Sequence, residues 1–160
     1  MFDLEKLPKQ AGNYVIVGLA VDRFSLDMKK FGLREMPAGF YLYCGSAHGP
    51  GGLKSRVSRH LDLHTKKFWH FDSLKEYLDS TCIWWQVSSA NFECEIAQFL
   101  FSLPGASCVV PGFGASDCRK GCLSHLVYFP NLDYVEQAWR ELNRKTWDYR
   151  QLSLKRDEIG

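Results

Sequence analysis

Apolar residues along this chain fall into two kinds of pattern. The run Tyr14-Val15-Ile16-Val17-Gly18-Leu19-Ala20 is apolar at odd and even positions alike, which predicts a strand covered on both faces. Pro37-Ala38-Gly39 leads into a second such run, Phe40-Tyr41-Leu42-Tyr43-Cys44. Strand alternation puts Tyr41 and Tyr43 on one face and Phe40, Leu42 and Cys44 on the other. Cys82-Ile83-Trp84-Trp85-Gln86-Val87 reads as a third strand, and Cys108-Val109-Val110 and Leu126-Val127-Tyr128-Phe129 as two short ones. The more polar stretch from Phe24 to Met36, with Gly32 as its turn residue, reads as an edge hairpin.

The helical period takes over in between. Leu53, Val57 and Leu61 recur at i, i+4, i+8, one apolar stripe of a helix that follows the loop Gly45-Ser46-Ala47-His48-Gly49-Pro50-Gly51-Gly52. A second helical stretch is expected over Phe71 to Tyr77. Phe92, Ile96, Phe99, Leu100 and Leu103 form the face of another helix, capped by Ser88 or Ser89 and ended by Pro104-Gly105. A loop rich in glycine and polar residues runs from Pro111 to Ser124. Leu132, Val135, Trp139 and Leu142 make the seam of a C-terminal helix, followed by a looser tail. The prediction is an α/β fold: a small mixed or antiparallel central sheet flanked by helices over residues 1–130, with a C-terminal helical extension, 131–160, packed on the same domain.

A length of 160 residues suits one such domain, and 46% hydrophobic with 24% charged residues excludes a disordered chain. A net charge of +2 is low for a protein that binds nucleic acid with its whole surface. The charge is local, however: Lys54, Arg56, Arg59, Lys66 and Lys67 face only Asp62, and His60, His64 and His70 lie among them. A strip of this kind is enough to meet a phosphate backbone, or it is simply a solvated helix face. The first residues carry acids and no apolar run, and no apolar segment approaches ~20 residues. We therefore expect no signal peptide, no membrane span and a cytoplasmic location, with the six cysteines as reduced thiols. Among them Cys118-x-x-x-Cys122-x-x-His125 holds ligand types that zinc accepts. These are three candidates without a fourth; His70 or Asp72 could complete the set only through folding, and otherwise both buttress the basic region.

The order of motifs carries more than any one of them. Gly12-Asn13-Tyr14 and Tyr43-Cys44-Gly45 form the pattern G-x-Y … Y-x-G, followed by a glycine-rich loop and a helix with Arg56 and His60 at i, i+4. The series resembles the GIY-YIG nuclease superfamily. Further stretches, among them Gly49-Pro50-Gly51-Gly52-Leu53, Phe68-Trp69-His70-Phe71-Asp72, Glu93-Cys94-Glu95, Pro111-Gly112-Phe113-Gly114 and Ser124-His125-Leu126, are similar to a subfamily known as a domain of unknown function. That subfamily also occurs fused to endonuclease-three-type repair glycosylases. The resemblance runs over roughly residues 12 to 130.

What the resemblance implies is a metal-dependent DNA endonuclease, with DNA as partner, a possible repair-protein partner, and one divalent cation such as Mg2+ as cofactor. The alternative is a nucleic-acid-binding module that kept the fold without catalysis. Arg56 would contact the scissile phosphate, its forked donors matching two oxygens. Tyr14 and Tyr43 would shape the nucleophile, and His60 would assist proton transfer or bind phosphate. A glutamate would hold the cation. The family register favours Glu95, with Glu93 as its rival, because helical periodicity puts both on flanks of the apolar face. Ser46, Lys54, Arg59, Lys66 and Lys67 would contact nucleic acid. The chain departs from the superfamily in an insertion from Leu19 to Pro37, in Ser46 where many relatives carry lysine, and in lacking a clear counterpart of a later asparagine, near whose place Ser116 or Asp117 stands.

Overall fold

The computed structural model describes residues 3–62, 70–115, 118, 120–144 and 148–153. Lys66, Lys67, Ser116 and Asp117 lie outside these residues, as does the side chain of His70. The described elements in order are β1 (Gly12–Ala20), β2 (Phe24–Met28), β3 (Gly32–Met36), β4 (Gly39–Ala47), α1 (Gly52–Leu61), β5 (Asp79–Val87), α2 (Glu93–Phe101), β6 (Leu126–Phe129), α3 (Leu132–Arg144) and β7 (Arg150–Ser153). Short 3-10 turns span Leu4–Lys6 and His70–Ser73.

β1 is the central strand. It pairs antiparallel with β4 on one side and β5 on the other, and β6 and β7 extend the sheet to the order β6-β4-β1-β5-β7. Every one of these pairings is antiparallel, so of the two arrangements open to the sequence the antiparallel one is realised. β2 and β3 form the expected hairpin, which stands apart as a two-stranded sheet.

The unbroken apolar character of β1 follows from this position. Tyr14, Ile16 and Ala20 join Tyr41 and Tyr43 of β4 in a core under α1, the His70–Ser73 turn and the hairpin. Val15 and Val17 join Phe40, Leu42 and Cys44 in a second core under α2 and α3. α1 contributes Leu53 and Val57, both fully buried. Each such side chain is worth about 1.5–3 kcal/mol of transfer free energy. On the other face Trp84 packs against Trp139 of α3, with ring centroids 5.2 Å apart, and donates its indole N–H to Gln151 of β7. The C-terminal segment is thus tied to the sheet by both a helix and a strand.

Five local expectations change, the first being that the looser tail expected after α3 contributes the strand β7. Phe71 to Tyr77 forms a 3-10 turn and further turns in place of a second helix. Cys108-Val109-Val110 forms no strand; the ladder beside β6 is reduced to a bridge between Ser107 and Tyr128. The loop after the second tyrosine motif begins later, because β4 continues to Ala47. The start of α2 is capped neither by Ser88 nor by Ser89. Asn13 Oδ1 accepts the N–H of Phe92 at 2.9 Å, and Asn91 Oδ1 accepts that of Glu93 at 3.1 Å. Ser88 instead closes a local turn with Ala90.

Candidate active site

The three residues Gly12-Asn13-Tyr14 each have a separate task. A β-carbon on Gly12 would stand 2.1 Å from the Gln86 carbonyl oxygen and 2.7 Å from Leu53, so its absence lets α1 close onto the sheet. Asn13 is fully buried and points to the opposite face from Tyr14. Its amide donates to Gln86 Oε1 and to the Ala90 carbonyl, while its oxygen caps α2. Asn13 therefore binds the N-terminus of α2, which begins with Glu93, to the strand that carries Tyr14.

Tyr14 lies opposite Gly45 in the β1–β4 register. The ring crosses directly over that glycine, whose added β-carbon would meet Tyr14 Cζ and Oη at 2.4 Å. The final glycine of Y-x-G is thus a bed for the tyrosine of G-x-Y. The Tyr14 hydroxyl is 2.9 Å from His60 Nε2 and hydrogen-bonds to the Arg56 side chain. His60 Nδ1 faces Asp72 Oδ1 at 3.4 Å, and Lys75 Nζ lies 3.6 Å from the same oxygen. Burial holds the pKa of His60 below its ordinary value, and the hydrogen bond and charge of Asp72 only partly oppose this. His60 is thus neutral at pH 7. Its proton sits on Nδ1, toward the carboxylate, so Nε2 is an acceptor and Tyr14 donates to it. Arg56, a donor only, must then supply the bond that Tyr14 accepts.

Burial raises the phenol pKa of Tyr14 well above its ordinary value, with Tyr43 adding to the rise and Arg56 opposing it. Tyr43 is shifted upward too, by burial first and then by the negative charge of Glu93. Both side chains are phenols at neutral pH. Tyr43 packs against Phe71 and edge-on to His60.

The two glutamates go different ways. Glu93 Oε2 accepts the Ser46 hydroxyl at 3.0 Å, and the Glu93 charge acts on both Tyr14 and Tyr43. Glu95 is paired with Lys120 in the late loop. Burial pushes its carboxyl pKa up, but the Lys120 hydrogen bond and charge bring it below the ordinary value. The fold thus gathers Tyr14, Tyr43, Arg56 and His60 with Ser46 and Glu93, and directs Glu95 to the loop. Of the basic strip, Lys54 is bound to Glu5 at 2.8 Å, and Arg59 lies in the last turn of α1. Asp72, read from sequence as a possible zinc ligand or a buttress of the basic region, stands behind His60, whereas Lys75 and Asn13 were not singled out as site residues from sequence. Only the x of G-x-Y pointed to Asn13, and nothing local pointed to Lys75.

No helix of the described residues is long and apolar enough to cross a membrane. None of the curated proteins and none of the solved structures compared with the chain matches it. One family model does, over residues 13–147, which takes in β1 from Asn13 onward, α1, α2 and α3, and the loop between α2 and β6. The chain belongs to the family described as Domain of unknown function DUF123.

Proposed function

We propose that this protein is a metal-dependent endonuclease that hydrolyses or nicks DNA, in repair or processing, as its resemblance to the GIY-YIG superfamily implies. The observation that carries the reading is the Tyr14 hydroxyl, held between the Arg56 guanidinium and His60 Nε2 with Asp72 behind the imidazole.

That network suits phosphodiester hydrolysis, in which water adds to phosphorus, the opposite P–O bond breaks, and its electron pair leaves with the oxygen. Tyr14 donates once and accepts once, which leaves one lone pair for the proton of an attacking water. As it takes that proton it passes its own to His60 Nε2, and Asp72 offsets the imidazolium charge. A neutral histidine is the protonation state this transfer requires. Arg56 can turn to two phosphate oxygens and offset the charge that grows in the transition state. Tyr43, a phenol at neutral pH, can donate a further hydrogen bond to a bound phosphate or water.

A hard cation such as Mg2+ binds through one or two carboxylates and phosphate oxygens and keeps several waters. Glu93 fits that demand: its carboxylate is oriented by a neutral hydroxyl, beside the two tyrosines. Glu95 fits it less well, because Lys120 already neutralises it. Glu93 would hold the cation in this reading, and Glu95, the residue the family register favours, serves as its comparison. When bound, the cation supplies positive charge at the scissile phosphate.

The test is Mg2+-dependent nicking of supercoiled and branched DNA by the purified chain. Arg56→Ala and Glu93→Gln are each expected to lower the rate by about 10²–10³, the loss typical of one transition-state charge contact. Glu95→Gln is expected to stay within a few-fold of wild type. Cleavage that survives both of the first two substitutions refutes the site. DNA binding at low salt without cleavage of any substrate supports a non-catalytic binding module instead.

A further inference from the structure

Folding brings together four side chains from three separate stretches of chain. Cys94 lies in the first turn of α2, Cys118 and Cys122 in the loop that follows it, and His125 at the threshold of β6. Their ligand atoms, three sulfurs and one imidazole nitrogen, all lie within 4.8 Å of one another. Cys94 Sγ is 3.1 Å from Cys118 Sγ and 3.3 Å from His125 Nε2. A tetrahedral zinc ion with Zn–S bonds of about 2.3 Å spaces its sulfurs by roughly 3.8 Å, so a small outward movement makes room for the ion. No disulfide joins them: all three are free thiols, and Cys94 and Cys118 stand 3.1 Å apart against a bonded S–S length of about 2.05 Å.

The surroundings are those of a ligand set. Cys118 Sγ accepts the backbone N–H of Lys120 at 3.4 Å, and Cys122 Sγ accepts the Gln98 amide at 3.7 Å. The His125 ring is also hydrogen-bonded to the backbone at Gly114, and such outer contacts orient metal ligands. Three thiolates around Zn2+ leave a net charge of −1, and the Lys120 ammonium is close enough for Cys94 and Cys118 to act on it. Val110 and Phe113 anchor the earlier part of the loop in the core, but nearer the ligands Leu123 is exposed and Lys120 pairs with Glu95.

We propose that Cys94, Cys118, Cys122 and His125 form a structural zinc site that fastens the loop between α2 and β6 to the first turn of α2. The sequence supplied three of these ligands, and the fourth is Cys94; Asp72 is committed to His60 and Lys75, and the His70 side chain lies outside the described residues. All four positions are taken by protein, which is the arrangement of a closed structural site rather than a catalytic one. Binding releases the thiol protons to solvent and involves no change of oxidation state. Because Cys94 follows Glu93 directly, the ion would also hold the start of α2 at the end of β4, where Glu93 meets Ser46. The inference does not depend on nuclease activity.

Elemental analysis and zinc-edge X-ray absorption of the full chain, purified without chelator under reducing conditions, test this directly. One zinc per chain is expected, with three sulfurs at about 2.3 Å and one nitrogen at about 2.0–2.1 Å. Cys118→Ser and Cys122→Ser should lower zinc to background, whereas Cys82→Ser, Cys108→Ser and Glu93→Gln should retain it. His125→Cys should also keep zinc, with a fourth sulfur in place of the nitrogen. That variant separates lost ligation from lost folding. Wild-type protein without zinc, a metal shell of oxygen and nitrogen alone, or full zinc in folded Cys122→Ser overturns the proposal.

Discussion

Gly45→Ala is the sharpest test of how the two tyrosine motifs meet. In a strand interior alanine is ordinarily better than glycine by roughly 0.5–1 kcal/mol, so a site with room would gain stability. Here the new methyl would lie 2.4 Å from Tyr14 Cζ and Oη and 2.8 Å from Cε2. Carbon atoms in contact sit about 3.5–4.0 Å apart, so the ring must retreat by roughly 1 Å or more. Its retreat is blocked by His60, whose ring lies 5.8 Å away, centroid to centroid. Overpacking of this kind costs about 1–3 kcal/mol. Moving the hydroxyl also breaks the bond to His60 and leaves a buried acceptor unpaired, another ~1–3 kcal/mol. The expected loss is about 4 kcal/mol, or roughly 8–16 °C in Tm for a chain of this size. Urea unfolding followed by tryptophan fluorescence measures it. A double-mutant cycle assigns it: in a Tyr14→Ala background the methyl enters the space the ring has left, and Gly45→Ala should cost under about 1 kcal/mol. A Gly45→Ala protein as stable as wild type, or an equal cost in both backgrounds, would refute the reasoning.

Two further measurements follow from the groups behind His60. Asp72→Asn leaves the Lys75 ammonium, whose side chain is 4% exposed, without its carboxylate, and should cost about 3–5 kcal/mol. Asp72→Asn/Lys75→Met should recover most of that, and a single substitution costing under ~1 kcal/mol would show that the pair is not charged. The depressed pKa of His60 sets the sign of a pH effect. Below about pH 6.5 the unfolded chain binds a proton that the folded form resists, so stability falls as pH falls. His60→Gln should therefore lessen the acid slope of the unfolding free energy by up to ~1.4 kcal/mol per pH unit without abolishing it, and an unchanged slope between pH 7 and pH 5.5 would contradict a buried neutral His60.

The elements read from the sequence are those whose burial is written in a short stretch. β1 and β4 are apolar on both faces because helices cover both sides of the sheet, and α1 and α3 carry their stripes at helical spacing. β7 escaped because only Leu152 of its four residues is buried, and a polar edge strand has no periodicity of its own. Cys108-Val109-Val110 has strand composition, yet its neighbourhood offers only the Ser107–Tyr128 bridge. The 71–77 stretch buries Phe71 and Leu74 in the core, so apolar content that looked helical serves turns.

The sequence by itself determined the order of the motifs, the tyrosine, arginine and histidine of the candidate site, and the α/β class. Each of these is carried by residue type at a local spacing. Only the tertiary structure decided which glutamate meets the tyrosines, because Glu93 and Glu95 differ by one helical half-turn and the choice depends on where Asn13 pins α2 against β1. It also brought Asp72 and Lys75 behind His60, and Cys94 to Cys118, Cys122 and His125. Those contacts join residues far apart in the chain, and their distances are set by the closure of the sheet and its helices rather than by any local pattern.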